Sequence, residues 1–168
     1  SPSLDTAGVL TRSAEDAALV FASLDPHVAD PWAFLAECQR AEARQFTLGV
    51  CEWMFEGNSP GVGEAVKQAL DELAKAGARI VKVDVPNLIE LHELFRRGGI
   101  AGIEFAAFIN RPEMAKWKAA VDPIVSSRFS AIQAIPATEY IARMDQIAQM
   151  TAEALPVFDQ VDAIVGPT

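Results

Sequence analysis

Residues 46–86 decide the fold and read FTLGVCEWMFEGNSPGVGEAVKQALDELAKAGARIVKVDVP. The first part, residues 46–53, is a short apolar run that is typical of a buried strand. An amphipathic helix follows the turn at Pro60, and its apolar face at helical spacing consists of Val62, Ala65, Val66, Ala69, Leu70 and Leu73. Gly77 stands where a helix commonly ends in a left-handed residue, so we expect the helix to stop there.

A second strand is predicted directly after this helix. Val81, Val83 and Val85 alternate with charged residues, which is the pattern of a half-buried strand, and Pro86 ends it because proline cannot donate a hydrogen bond to a neighbouring strand. The order strand, helix, strand is typical of a βαβ unit, whose two strands are normally parallel.

The flanking sequence predicts further helices and one more strand. Ser13 precedes an apolar periodicity that indicates a helix over residues 14–24, and Asp30 with Pro31 marks the start of another. Residues 87–160 are expected to be mainly helical, and residues 163–165 form a short apolar strand. The predicted class is therefore α/β, with mixed or mostly parallel strands, covering helices and a helix-rich second half.

Composition excludes several classes of protein. The chain of 168 residues has 14 basic and 23 acidic residues, a net charge of −9, which argues against direct nucleic-acid binding. Apolar residues make up 51% of the chain, so disorder is excluded, but charges interrupt every apolar run before it reaches the length of a membrane span. Two cysteines cannot form a disulfide framework, so a reducing, cytoplasmic location is expected.

The residues that most often carry chemistry do not form a recognisable catalytic or metal-binding motif. His27 and His92 have no partner at a metal-ligand spacing, and Cys38 and Cys51 lack a neighbouring group that would activate a thiol. We therefore expect structural roles for all four residues and no metal site.

An incomplete dinucleotide-binding pattern leaves one alternative open. Gly61, Val62 and Gly63 approximate the first part of a glycine fingerprint, and Asp84 stands near the position of a ribose-binding acid. The third glycine is absent and the turn before the helix is long, so the better interpretation is that these glycines only mark the start of the helix.

The sequence resembles the amidase signature family over essentially its whole length. The resemblance is strongest at the two ends, residues 3–19 (SLDTAGVLTRSAEDAAL) and residues 158–168 (FDQVDAIVGPT). Between them, residues in the family's order are Leu48, Gly49, Val50, Gly77, Ala78, Val85, Pro86, Glu104, Arg128 and Tyr140.

The resemblance implies cleavage of a carboxylic amide without metal or organic cofactor. Members use a serine nucleophile, a second serine on a cis peptide and a lysine base, all of which precede the Ser-Leu-Asp-Thr motif in the family. No catalytic residue can therefore be assigned within this chain. Asp5, Thr6 and Gly8 follow directly on that catalytic segment, and they are the candidates for a position on the substrate side of the site.

The resemblance also sets expectations for the chain as a whole. Residues 1–168 are expected to be a partial amidase-signature domain, truncated at both ends, that contributes sheet and substrate-funnel elements and is inactive alone. The parent would bind a small-molecule amide, and an exposed apolar face would allow self-association. Alternatives are a fragment of the A subunit of a glutamine-dependent aminoacyl-tRNA amidotransferase and a noncatalytic binding or regulatory domain with an amidase-like fold.

Overall fold

The computed structural model describes residues 1–130, 132 and 135–168, and for residues 128–130 it describes the backbone alone. Within these residues the chain forms eight α-helices, namely α1 (Ala14–Leu24), α2 (Pro31–Arg40), α3 (Val62–Lys75), α4 (Leu88–Arg96), α5 (Ala101–Ile109), α6 (Ala115–Ala120), α7 (Pro123–Ser130) and α8 (Ala137–Ala154). The described strands are β1 (Thr47–Val50), β2 (Arg79–Lys82) and β3 (Ala163–Val165). This composition confirms the predicted α/β class.

The chain divides into two compact units. The first comprises Ser1–Asp5 and Val85–Pro156, and the second comprises Thr6–Asp84 and Val157–Thr168. The helix-rich second half of the sequence therefore forms most of the first unit, and the strands lie in the second unit.

The second unit is built on a three-stranded parallel sheet in the order β2-β1-β3. Strand β1 is central, and its register aligns Gly49 with Val81 of β2 and with Ile164 of β3. A Cβ atom added at Gly49 would lie 3.0 Å from Cγ2 of Val83 and 3.3 Å from Cγ1 of Val161. Both valines are buried, so Gly49 is required for the close packing of this core.

Helix ends in the second unit follow the sequence signals. The side chain of Ser13 accepts a hydrogen bond from the Asp16 amide at the start of α1, as predicted, and Asp30 caps α2 in the same way. Gly77 has a φ of 107°, which confirms the left-handed cap, and Ala78 donates its N–H to the Leu73 carbonyl, closing the C-terminal turn of α3.

Both predicted strands of the βαβ unit differ in extent from the expectation. The strand expected over residues 46–53 ends at Val50, because the chain enters a 3-10 helical turn at Glu52–Phe55. Because β2 pairs with only the four residues of β1, it occupies Arg79–Lys82 rather than residues 81–85. One further bond, 3.0 Å from the Val83 amide to the Val50 carbonyl, continues the pairing.

The first unit packs α4 against α8 and packs α6 and α7 against α5. Its core includes Leu94, Ile100, Ala106, Ile109 and Met150, all buried. The helical prediction for residues 87–160 is confirmed in the described parts, although positions 131, 133 and 134 of that stretch lie outside the described residues, as does the side chain of Arg128.

Candidate functional site

A pocket of about 660 Å³ lies in the first unit, where α5, α8 and the N-terminal segment meet. Its lining consists of Ser1, Pro2, Ser3, Asp5, Glu104, Phe105, Ala107, Phe108, Arg111 and Tyr140. The volume is in the range of small-molecule sites, and the combination of apolar wall and converging polar groups is typical of them.

Glu104 is the centre of the polar side of this pocket. It is the single charged residue of α5, whose sequence AGIEFAAFI is otherwise apolar, and its side chain is half-buried. Oε1 accepts hydrogen bonds from the Ser3 hydroxyl and, at 2.8 Å, from the Tyr140 hydroxyl. Oε2 accepts from the Ser1 hydroxyl and, at 3.1 Å, from the Ser3 amide. The carboxylate thus holds four donors from two distant parts of the chain.

These hydrogen bonds determine the charge of the site. Burial alone would raise the pKa of Glu104, but the bonds from Ser1, Ser3 and Tyr140 outweigh it and lower the pKa to about 2. The same contact raises the pKa of Tyr140, since its proton is held by an anion, although the Ser3 hydroxyl, which would donate to an ionised phenol, opposes the shift. The site therefore presents an ionised carboxylate and a neutral phenol at physiological pH.

The remaining lining supplies an apolar wall and a cation. Phe105 and Phe108 lie one turn apart on α5, and the guanidinium carbon of Arg111 lies 5.5 Å from the centroid of the Phe108 ring. Asp5 also lines the pocket, and its carboxylate accepts a hydrogen bond from the amino group of Ser1.

Of the residues predicted for the substrate side, Asp5 is the one that lines this pocket. Thr6 and Gly8 belong to the second unit and are exposed, and a Cβ atom added at Gly8 would meet nothing within 4 Å. A role for these residues at a site stays a prediction.

Several of the pocket residues were missed by the sequence analysis. Ser1 and Arg111 belong to no motif, whereas Ser3, Glu104 and Tyr140 appeared only as positions that match the resemblance. The signal that would have found Glu104 is its isolation, since a lone carboxylate in an apolar helix needs partners to offset its burial.

The residues judged structural lie away from this pocket. His27 is exposed and its amide donates to the Asp25 side chain, 2.9 Å away, while Cys38 is exposed on α2 and Cys51 is buried just beyond β1. Among the described side chains no three His, Cys, Asp or Glu residues come together as a metal site would require. None of the described helices is long and apolar enough to cross a membrane.

The nucleotide-binding alternative lacks the geometry it needs. Strand β1 ends at Val50 and α3 begins at Val62, with the 3-10 turn Glu52–Phe55 between them. A dinucleotide fingerprint needs a tight turn from strand to helix, which brings backbone N–H groups onto the pyrophosphate.

A smaller pocket of about 270 Å³ lies in the second unit beside β1, β2 and α3. Its polar groups include Glu52 and Lys82, whose charged atoms lie 2.7 Å apart and whose side chains are both largely exposed. The hydrogen bond between them lowers the pKa of Glu52 and raises that of Lys82. Because the two charges already pair with each other and are both exposed to solvent, this pocket is a weaker candidate than the one around Glu104.

Comparison with known proteins identifies the family. The family model for amidases matches residues 1–168, so the chain belongs to the amidase family and the resemblance is confirmed. The chain is similar to "2-amino-5-chloromuconic acid deaminase" of Comamonas testosteroni, with 34% identity over 100% of this chain and 36% of that protein. It is 26% identical to an "Amidase" of Pseudomonas putida, over 99% of this chain and 37% of that protein.

A third relative matches part of the chain. This relative is a component of the glutamyl-tRNA(Gln) amidotransferase of Deinococcus radiodurans, and it is 40% identical over 92 residues, which are 51% of this chain and 19% of that protein. The chain spans 36% and 37% of the Comamonas and Pseudomonas proteins, so it corresponds to little more than a third of their length.

Proposed function

We propose that this chain is the substrate-side portion of an amide hydrolase that cleaves a carboxylic C–N bond. The family match over residues 1–168 carries the proposal, because it extends across every described element. In this proposal the serine, cis-serine and lysine chemistry of the family lies outside residues 1–168. That arrangement accords with the 36% of the Comamonas relative that the chain spans.

The pocket around Glu104 is the proposed wall of the substrate site. It joins an apolar surface that suits an acyl or aryl group to polar groups that fix orientation. Asp5 lines it and is followed closely along the chain by Thr6 and Gly8, the other residues predicted for the substrate side. The proposal assigns binding to these residues and no catalytic step.

The A subunit of an amidotransferase is the second candidate. The Deinococcus relative, which is 40% identical over about half of the chain, favours it. The two candidates differ in the source of the amide. An amidotransferase component would act within an assembly that uses the amide of glutamine, whereas a standalone amidase would act on a free carboxamide.

The test combines intact mass with an assay of ammonia release. A chain confirmed at 18.1 kDa should release no ammonia from benzamide or glutamine and should not react with a serine-directed fluorophosphonate probe. It should nevertheless bind benzamide, as followed by ligand-observed NMR. Turnover by the 18.1 kDa chain would overturn the placement of the chemistry, and failure of a folded chain to bind any carboxamide would overturn the substrate-side role.

A further inference from the structure

The hydrogen bonds that the hydroxyl groups of the pocket make to Glu104 have a fixed direction, here called their polarity. Ser1, Ser3 and Tyr140 each have one hydroxyl hydrogen, and each donates it to the carboxylate of Glu104. An ionised carboxylate has no hydrogen to give, so the direction of these bonds is set by chemistry. The three hydroxyl oxygens, here called the hydroxyl cluster, are left with lone pairs and nothing to donate.

The charge of Glu104 keeps this polarity in place. With its pKa at about 2, the carboxylate stays ionised at all ordinary pH values, so the hydroxyl hydrogens remain directed toward it. The Ser3 amide is committed to the same carboxylate, at 3.1 Å. The three hydroxyl groups therefore accept hydrogen bonds from a ligand but do not donate them.

The apolar part of the pocket lining suits a flat apolar body. Phe105, Ala107 and Phe108 line it, and Arg111 lies beside the Phe108 ring. A volume of about 660 Å³ is ample for a ligand with one aromatic ring.

We propose that the hydroxyl cluster is a subsite for an N–H donor group, carried on an apolar, ring-sized body that lies against Phe105 and Phe108. The group is the N–H₂ of a primary carboxamide or of an amine. Groups that only accept hydrogen bonds, such as a tertiary amide or a carboxylate, would place their lone pairs against those of the hydroxyl oxygens and would be repelled. This inference rests on the proposed function in identifying the ligand with the amidase substrate, but its readout is binding and needs no turnover.

The test uses four ligands that share one phenyl ring. Benzamide and N,N-dimethylbenzamide differ in the two N–H donors, benzylamine carries its donors on an amine, and benzoate carries none and offers a negative charge to Arg111. Dissociation constants for the folded chain come from ligand-observed NMR titration. Benzamide or benzylamine should bind about tenfold or more tightly than N,N-dimethylbenzamide and benzoate, since unsatisfied polar groups are costly.

Variants distinguish a ligand-binding role of the hydroxyl cluster from a merely structural role. Tyr140→Phe and Ser3→Ala each remove one acceptor and should weaken the preferred ligand by about two- to tenfold, the range expected for one hydrogen bond. Ser23→Ala is the matched control, because that hydroxyl donates to the Leu19 carbonyl within α1 and lies in the other unit. The control should leave all four affinities unchanged.

Glu104→Gln changes the polarity while keeping the size of the side chain. The amide N–H₂ of glutamine donates to hydroxyl oxygens, so hydroxyl hydrogens become free to turn toward the ligand. We expect the preference for benzamide over N,N-dimethylbenzamide to shrink and benzoate to gain affinity. If this variant does not fold, the Tyr140→Phe and Ser3→Ala titrations decide the matter.

The outcomes distinguish this inference from the proposed function. Equal binding of benzamide and N,N-dimethylbenzamide, or tighter binding of benzoate than of both donors, overturns the N–H subsite and leaves the amidase proposal standing. Binding of benzylamine without any binding of benzamide supports the subsite and counts against its use by an amide substrate. Absence of binding by all four ligands overturns the subsite and, because two of the ligands are carboxamides, the substrate-side role as well. The ammonia-release assay then judges only the placement of the chemistry outside this chain.

Discussion

The Tyr140 hydroxyl on α8 donates a 2.8 Å hydrogen bond to Oε1 of Glu104 on α5. The two residues are 36 positions apart, so this bond joins two helices of the first unit that are not neighbours in sequence. It also completes the set of donors that hold the Glu104 carboxylate beside the pocket.

Tyr140→Phe should lower the free energy of unfolding by about 1 kcal/mol, because one hydrogen bond to a half-buried carboxylate is lost without loss of ring packing. Urea denaturation followed by tryptophan fluorescence measures the change. Arg96→Ala is a suitable control, since its ion pair with Glu93 is exposed and is expected to contribute about 0.5 kcal/mol or less. An unchanged stability in Tyr140→Phe would show that the bond is not formed in solution.

The lowered pKa of Glu104 predicts a specific pH dependence of stability. In the unfolded chain the carboxyl has its ordinary value of 4.5, and in the folded chain the value is about 2. The folded state therefore favours the ionised form, and the resulting stabilisation is present above about pH 4.5 and is lost as the pH falls toward 2. The groups that face Glu104 are the hydroxyls of Ser1, Ser3 and Tyr140, with Asp5, Arg111 and the Ser1 amino group also in the pocket region.

Glu104→Gln isolates this contribution from the other carboxyl groups. The difference in unfolding free energy between the wild-type chain and the variant should be constant at neutral pH and should shrink between pH 4.5 and about 2. Urea titrations at closely spaced pH values measure it, with Glu90→Gln as the control because Glu90 is exposed on α4. A difference that stays constant across this interval would mean that the Glu104 carboxylate is not held by these donors.

Local signals predicted the local structure well, and long-range pairing explains what they missed. Helix α1 spans Ala14–Leu24 as predicted, because Ser13 caps it with its own side chain. Strand β2 shifted because its length is set by pairing with β1, which no pattern within residues 79–85 encodes. The pocket depends on a contact between Ser3 and Glu104 across 101 positions, and no spacing rule connects residues so far apart.

Two glycines should respond to alanine in opposite directions. At Gly49 a methyl group would press on Val83 and Val161, so Gly49→Ala should destabilise the second unit by about 1–3 kcal/mol, the usual cost of overpacking. At Gly63 in α3 the nearest side-chain atom is 3.6 Å away, on Phe55, so Gly63→Ala should stabilise the chain by about 0.5–1 kcal/mol. Thermal and urea denaturation compare the pair. Equal effects would contradict the packing described around β1.

Self-association through an apolar face, expected from the sequence, is testable on the α1 and α2 helices. Leu24 and Trp32 are 66% and 69% exposed there, and Phe21 is 48% exposed although its ring centroid lies 5.9 Å from that of Phe34. The sedimentation coefficient should rise with protein concentration, and Leu24→Gln with Trp32→Gln should reduce the rise, because exposed apolar clusters promote association. A monomer at all concentrations would exclude the expectation, and Trp117→Gln on α6 tests whether any exposed tryptophan has the same effect.

Arg143 is expected to stabilise the turn that leads into the helix carrying Glu104. Its side chain is 11% exposed, and its guanidinium donates to the Gly99 carbonyl at 2.9 Å and to Oε1 of Glu139 at 2.8 Å. Gly98 and Gly99 have φ values of 95° and 52°, so the turn between α4 and α5 has a backbone conformation that few other residues adopt. The Arg143 guanidinium thus supplies a hydrogen-bond donor to the Gly99 carbonyl in this tight turn.

Arg143→Ala should therefore destabilise the first unit by about 1–3 kcal/mol, the cost of leaving the partly buried Gly99 carbonyl without this donor. Arg143→Lys should recover part of the loss, because an ammonium group cannot donate to both partners in the fixed geometry of a guanidinium. Hydrogen exchange of the amides near Gly99 should accelerate in Arg143→Ala, while those of α3 in the other unit should not change. If only global stability fell and the turn amides kept their protection, the guanidinium would be acting through Glu139 alone and not through the turn.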